Sequence, residues 1–141
     1  MCNSVLVVDD EAAIRGLITR GLEAAGYRTL AAVNADQAIQ DLGPTPPAVV
    51  VSDIEMPGHD GFWLADEIRR RYPQTAIVMM TGCLDTGMAA RSMRTGAMDY
   101  LRKPFTRDQL TSSLNRAMQW HRSQSAESTA GVVTFQSPAL T

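Results

Sequence analysis

The segment AVVVSDIEMPG, residues 48–58, decides the fold of this chain. Its run of β-branched residues predicts a buried strand, and the Pro-Gly pair at its end predicts the turn that stops the strand. Asp53 therefore stands at the carboxyl tip of a core strand. The segment SVLVVDDE, residues 4–11, has the same form, because an apolar run is again followed by acidic residues.

Carboxylates at the tips of two buried strands predict a cation site. Asp9, Asp10 and Asp53 would meet at one edge of a sheet, where like charges do not stay ionised without compensation. Mg²⁺ is the first candidate cofactor, because it prefers oxygen ligands and keeps water ligands that a phosphate can replace. A simpler interpretation of the Asp-Asp-Glu run is helix capping, and a simpler interpretation of Asp53 is turn formation.

Strands and helices alternate along the chain. The predicted strands are residues 4–8, 27–33, 48–53, 75–80 and 98–102, and the predicted helices are about 14–25, 35–42, 61–71, 86–94 and 106–121. Such alternation predicts an α/β fold with a doubly wound five-stranded parallel sheet covered by five helices. Thr81 then follows the fourth strand and Lys103 the fifth, on the same rim as the three acids.

Composition limits the class of protein. A chain of 141 residues with a net charge of −2 predicts one domain without a general nucleic-acid surface. No apolar stretch reaches membrane-spanning length, and two cysteines make no disulfide framework, so we expect a cytoplasmic protein. From residue 123 to 141 the sequence lacks periodicity, which predicts a flexible tail or the start of a linker after a domain at 1–122.

Four motifs together resemble the receiver domain of bacterial response regulators. They are VVDDE at residues 7–11, SDIEMPGHDG at 52–61, MTG at 80–82 and GAMDYLRKPF at 96–105. The resemblance covers about residues 4 to 121. It implies a flavodoxin-like receiver fold with strand order 2-1-3-4-5, and phosphorylation by a sensor histidine kinase or a phosphotransfer protein.

The resemblance also implies a role for each acidic position. Asp53 corresponds to the phosphoacceptor, Asp10 to the carboxylate that binds Mg²⁺ directly and Asp9 to the one that holds it through water. The backbone carbonyl of Glu55 would be a further ligand of the metal, alongside Asp53 itself.

Other positions correspond to the phosphate contacts and the switch. Thr81 would grip one phosphoryl oxygen and Lys103 would pair with another, while Tyr100 would change rotamer on activation. Glu55 and Cys83 occupy positions that would tune the lifetime of the phosphate.

The function predicted from these residues is a phosphorylation-dependent signalling switch that catalyses only its own phosphotransfer and autodephosphorylation. The alternative is a Mg²⁺-dependent phosphohydrolase of the haloacid-dehalogenase-like type, although Glu55 stands where such enzymes place a second Asp. We also predict a homodimer through the fourth helix, the fifth strand and the fifth helix, and no contact of this segment with nucleic acid or membrane.

Overall fold

Five strands form a single parallel sheet in the order β2-β1-β3-β4-β5. The structure is a computed structural model and describes residues 3–82, 87, 90–91 and 94–134. The strands are β1 (Ser4–Val8), β2 (Arg28–Ala32), β3 (Val49–Asp53), β4 (Ala76–Thr81) and β5 (Asp99–Arg102), and the helices are α1 (Ala12–Ala24), α2 (Ala35–Leu42), α3 (Gly61–Arg71) and α4 (Arg107–Thr134). The predicted doubly wound sheet and its strand order are confirmed.

Four complete helices are described, whereas five were predicted. The predicted helix at residues 86–94 lies largely outside the described residues. Gly87, Ala90, Arg91 and Arg94, which belong to that segment and are described, are helical.

The last helix is longer than predicted. It was expected to end at His121, but α4 runs from Arg107 to Thr134 and so contains 28 residues. Residues 123–134, which were predicted to begin a flexible tail or a linker, are therefore part of α4. Despite its length, α4 lacks the apolar character of a membrane span, and the same holds for every other described helix.

Side-chain caps stabilise the starts of α2 and α4. Asn34 Oδ1 accepts a hydrogen bond from the backbone N–H of Gln37 at 2.8 Å. Thr106 Oγ1 accepts from the N–H of Gln109 at 3.0 Å, while Gln109 Oε1 accepts from the N–H of Thr106 at 2.8 Å. This reciprocal pair satisfies two backbone donors that the helix itself leaves unbonded.

The sheet is buried on both faces because its strands are apolar at successive positions. Leu6 and Val8 point into a core shared with α2 and α3, whose members include Leu42, Leu64 and Ile68. Val5 and Val7 point into a second core shared with α1 and α4, whose members include Ile18, Leu22, Leu114 and Met118. Because helices cover both faces of the sheet, the sequences of the central strands are continuous apolar runs.

The strand register aligns the carboxyl ends of the four strands that carry the candidate residues. Val8 pairs with Ser52, and Asp53 pairs with Met80 in the next strand. Beyond the last pair of β4 and β5, the N–H of Lys103 donates to the Thr81 carbonyl at 2.7 Å. The residues at these strand ends therefore share one edge of the sheet.

Candidate functional site

Three carboxylates meet beyond the ends of β1 and β3. One oxygen from each of Asp9, Asp10 and Asp53 lies within 4.8 Å of the other two. Asp9 is fully buried and Asp53 is 6% exposed, whereas Asp10 is open to solvent. The structure thus brings together the three acids that were predicted to meet at this edge of the sheet. Two of them are buried in the protein, and the third faces solvent.

The ammonium group of Lys103 lies between two of these acids. Its Nζ atom is 3.0 Å from Asp9 Oδ2 and 3.3 Å from Asp53 Oδ2. Lys103 follows β5, and its side chain reaches past the end of β4, so that a single cation contacts carboxylates at the ends of two other strands, β1 and β3. Three formal negative charges then face one positive charge, which leaves the site acidic.

Burial changes the protonation of this group. It raises the pKa of Asp53 from 3.8 to about 6; the Lys103 charge lowers this pKa and the Asp9 charge raises it further. The pKa of Lys103 is raised as well, because its hydrogen bond to Asp9 and the charge of Asp53 outweigh the effect of burial. Asp53 therefore lacks sufficient positive charge nearby to hold its ionised form at its ordinary pKa.

The donor set suits a small hard cation. Carboxylate oxygens are the ligands that Mg²⁺ prefers in proteins, and an incomplete protein cage leaves room for water or phosphate oxygens. Asp10 faces solvent beside the two buried acids, so the group is open on one side. The residues that are present therefore fit Mg²⁺.

Asp9 is fixed at each of its polar atoms. Its N–H donates to the Ala32 carbonyl at 3.2 Å, and its Oδ1 accepts from the Glu11 N–H at 2.9 Å. Its backbone carbonyl accepts from Arg15 Nη1 at 2.7 Å. Arg15 was not among the predicted site residues; its one signal in the sequence is a cation in the first turn of a helix, where the helix dipole disfavours positive charge.

The remaining predicted residues that the structure describes lie on β4, on β5 and in the loop after β3. Thr81 is fully buried at the end of β4, and Tyr100 is half-buried in β5 against the α3-side core. Glu55 is exposed in the loop after β3, where it lines a shallow cleft of about 560 Å³. Cys83 lies outside the described residues.

Comparison with known proteins gives a consistent answer. The sequence matches the family described as response regulator receiver domain over residues 5–115. It is 36% identical over 120 residues to the DNA-binding transcriptional regulator NtrC of Escherichia coli, which covers 85% of this chain and 26% of that protein. The chain thus spans about a quarter of the length of this relative.

Solved structures agree with the sequence comparison. The receiver domain of NtrX from Brucella abortus is 37% identical, with a TM-score of 0.77 over 82% of this chain and 98% of that one. A response regulator receiver domain protein from Clostridium thermocellum is 32% identical, with a TM-score of 0.78 over 82% and 94% of the two chains.

These matches support the signalling interpretation and give no support to the phosphohydrolase alternative. The family match extends from β1 into α4, and so includes every strand end that contributes an acid or Lys103 to the site. The chain belongs to the response regulator receiver domain family and is a phospho-signalling switch.

Proposed function

We propose that Asp53 accepts a phosphoryl group from a histidine kinase, with Mg²⁺ held by Asp9, Asp10, Asp53 and the Glu55 carbonyl. One observation carries this proposal. The carboxylate of Asp53 is almost fully buried, lies 3.3 Å from Lys103 Nζ and has the carboxylates of Asp9 and Asp10 within 4.8 Å. A buried acid in contact with both a cation and two further acids suits phosphoryl chemistry better than a structural role.

The chain's own residues contribute by position and charge. An ionised Asp53 oxygen would attack phosphorus while the bond between phosphorus and the kinase histidine nitrogen breaks. Because the other ring nitrogen of the phosphohistidine would carry a proton, the products are an acyl phosphate and a neutral imidazole. Lys103 would neutralise one phosphoryl oxygen, and the Thr81 hydroxyl would donate to another. Bound Mg²⁺ would supply further positive charge and hold the donor in line.

Phosphorylation would then act as a switch. A group with a charge of roughly −2 replaces a single carboxylate at the centre of the sheet edge. Thr81 would move toward the phosphoryl group, and the Tyr100 ring would take up the space that Thr81 leaves. Glu55 and Cys83 would set how long the phosphate persists.

The chain would be a switch without turnover of other substrates, acting in the cytoplasm. Its NtrC relative is named as a DNA-binding transcriptional regulator, which makes control of transcription the output we propose for the protein to which this domain belongs. Its direct partners would be a sensor histidine kinase or phosphotransfer protein, and a second copy of itself.

Labelling with acetyl phosphate tests the proposal. The wild-type protein should gain one phosphoryl group by intact mass in the presence of Mg²⁺, and Phos-tag gels should show the same species. Asp53→Asn should abolish labelling, whereas Asp41→Asn, which removes an exposed carboxylate from α2, should leave it unchanged. Undiminished labelling of Asp53→Asn, or labelling that EDTA does not affect, would contradict the proposal.

A further inference from the structure

Asp10 lacks the support that holds the other two acids. Asp9 and Asp53 both contact Lys103, but the Asp10 side chain makes no hydrogen bond or ion pair with any described residue. It nevertheless lies within 4.8 Å of two like charges, which repel it. Its place in the cluster must therefore be set by its backbone.

The backbone before Asp10 is held by Arg15. β1 ends at Val8, and the N–H of Asp9 makes the last bond to β2, at Ala32. The Asp9 carbonyl, which forms the peptide bond to Asp10, lies beyond the sheet and accepts from Arg15 Nη1 at 2.7 Å. A rotation of this peptide group would turn the side chain of Asp10 away from Asp9 and Asp53.

The location of Arg15 argues against a role in helix stability alone. Its N–H donates to the Glu11 carbonyl at 2.9 Å, which places it in the first turn of α1. A cation there opposes the helix dipole, so the helix itself gains nothing from the charge. The half-buried side chain instead reaches back over the turn to the tip of β1.

We propose that Arg15 is a positioning residue for the cation site. It holds the peptide group between Asp9 and Asp10 so that the Asp10 carboxylate stays directed toward the bound metal. The inference rests on the proposed Mg²⁺ site and adds a residue outside the ligand set. Residues that orient metal ligands commonly change metal affinity by about 10- to 100-fold when they are substituted.

The sign of the effect separates positioning from simple electrostatics. Removing a positive charge near an acidic site should tighten Mg²⁺ binding if charge is all that matters. Loss of positioning should instead weaken binding, so Arg15→Gln should raise the Mg²⁺ dissociation constant by about tenfold. The matched control is Arg20→Gln, which removes the same charge from the exposed side of α1 and should change the dissociation constant by less than about twofold.

Mg²⁺ titration followed by amide NMR shifts of the unphosphorylated protein gives the test. Far-UV circular dichroism and the melting temperature establish that each variant is folded. In acetyl phosphate labelling, Arg15→Gln should need more Mg²⁺ for half-maximal rate yet reach the wild-type rate at saturation, which a general defect in folding would not produce.

Two contrary outcomes are distinct. Unchanged or tighter Mg²⁺ binding in Arg15→Gln would overturn the positioning role while leaving the proposed function intact. A wild-type protein without Mg²⁺-dependent shifts at the strand ends would overturn both.

Discussion

Because the Asp53 carboxyl group is buried, the folded protein favours the protonated form of this group. Its pKa rises from 3.8 to about 6 on folding, so the folded chain binds more protons than the unfolded chain between these values. Stability of the metal-free protein should therefore fall as pH rises through this window and level off above it. A cation would remove this cost, which couples metal binding to the ionisation needed for chemistry.

Asp53→Asn should accordingly stabilise the metal-free protein above pH 6. The gain should approach about 3 kcal/mol at neutral pH, because each pKa unit corresponds to about 1.4 kcal/mol, and it should vanish near pH 4. Denaturant unfolding in EDTA at both pH values measures it, with Asp41→Asn as the control for loss of an exposed acid. If the gain in the free energy of unfolding were the same at both pH values, it could not come from the charge of the buried Asp53 carboxylate.

Asp10 and Glu11 should differ sharply in their importance for the cation. Asp10 belongs to the acidic cluster, whereas Glu11 contributes its backbone N–H to Asp9 and leaves its side chain exposed. We expect Asp10→Asn to weaken Mg²⁺ binding by at least about tenfold and Glu11→Gln to have little effect. Equal losses, measured by the same NMR titration, would mean that the wrong carboxylate has been assigned to the metal.

Convergence of the acids was predictable because parallel strands end at one edge of a sheet. A strand pattern alone therefore placed Asp9, Asp53 and Lys103 together. Arg15 was not predictable, because its contact depends on a side chain that doubles back along its own helix to a backbone carbonyl. The periodicity of apolar residues in the sequence does not predict this hydrogen bond.

At the scale of elements, the close approach of β3 and α3 depends on a glycine. A Cβ atom built on Gly61 would lie 2.4 Å from the Asp53 carbonyl oxygen and 2.9 Å from Ile54 Cα. Both are backbone atoms, so neither can rotate aside. The Gly61 N–H also donates to the Ile54 carbonyl at 2.8 Å, which ties the start of α3 to the end of β3.

Gly61→Ala should therefore destabilise the protein and displace Asp53, the proposed phosphoacceptor. Overpacking of this kind typically costs about 1 to 3 kcal/mol, and the rate of Asp53 labelling should fall with it. Gly21→Ala in α1 is the matched control, since its Cβ would meet no atom within 4 Å, and it should stabilise by about 0.5 to 1 kcal/mol. Chemical denaturation of both variants decides the matter; equal stability of the two would contradict the clash.

The elements themselves were predictable to different degrees. Pro-Gly turns and the capping residues Asn34 and Thr106 marked boundaries that the structure reproduces. The end of α4 was not predictable, because the segment after Ser123 is rich in Ser, Thr and Ala without an apolar stripe. Continuation of a helix through such a segment depends on the turns that precede it more than on its own pattern. The division of the chain at residue 122 stays a prediction.

At the scale of the whole molecule, the surface predicted to form the homodimer consists of the predicted helix at residues 86–94, β5 and α4, and some of its charged side chains already have partners within the chain. Asp99 in β5 forms an ion pair with Arg116 of α4. Arg91 places its guanidinium 4.2 Å from the centre of the Phe62 ring in α3. These contacts tie Arg91 to α3 and β5 to α4 within one chain, so these three charged side chains are not available to a partner without rearrangement.

Charges left for a second copy include those on β5 and at the start of α4. Arg102, Arg107 and Asp108 are exposed and make no ion pair with any other described residue. In a two-fold dimer each pair would occur twice, but exposed pairs are worth at most about 1 kcal/mol each. The dimer should therefore be marginal before phosphorylation and sensitive to salt.

Activation with beryllofluoride should strengthen this dimer, and Arg107→Glu should weaken it by several-fold. The reversed charge would repel where the native one attracts, whereas Arg28→Glu on β2, at the opposite edge of the sheet, should have no effect. Sedimentation equilibrium at about 0.05 M and about 0.5 M salt measures both dependences, and NMR shift mapping should place the changes around Tyr100. If the changes instead map to α1, and Tyr100→Ala leaves partner binding intact, then phosphorylation alters a different surface from the one proposed. The charged side chains on β5 and α4 would in that case simply be solvated.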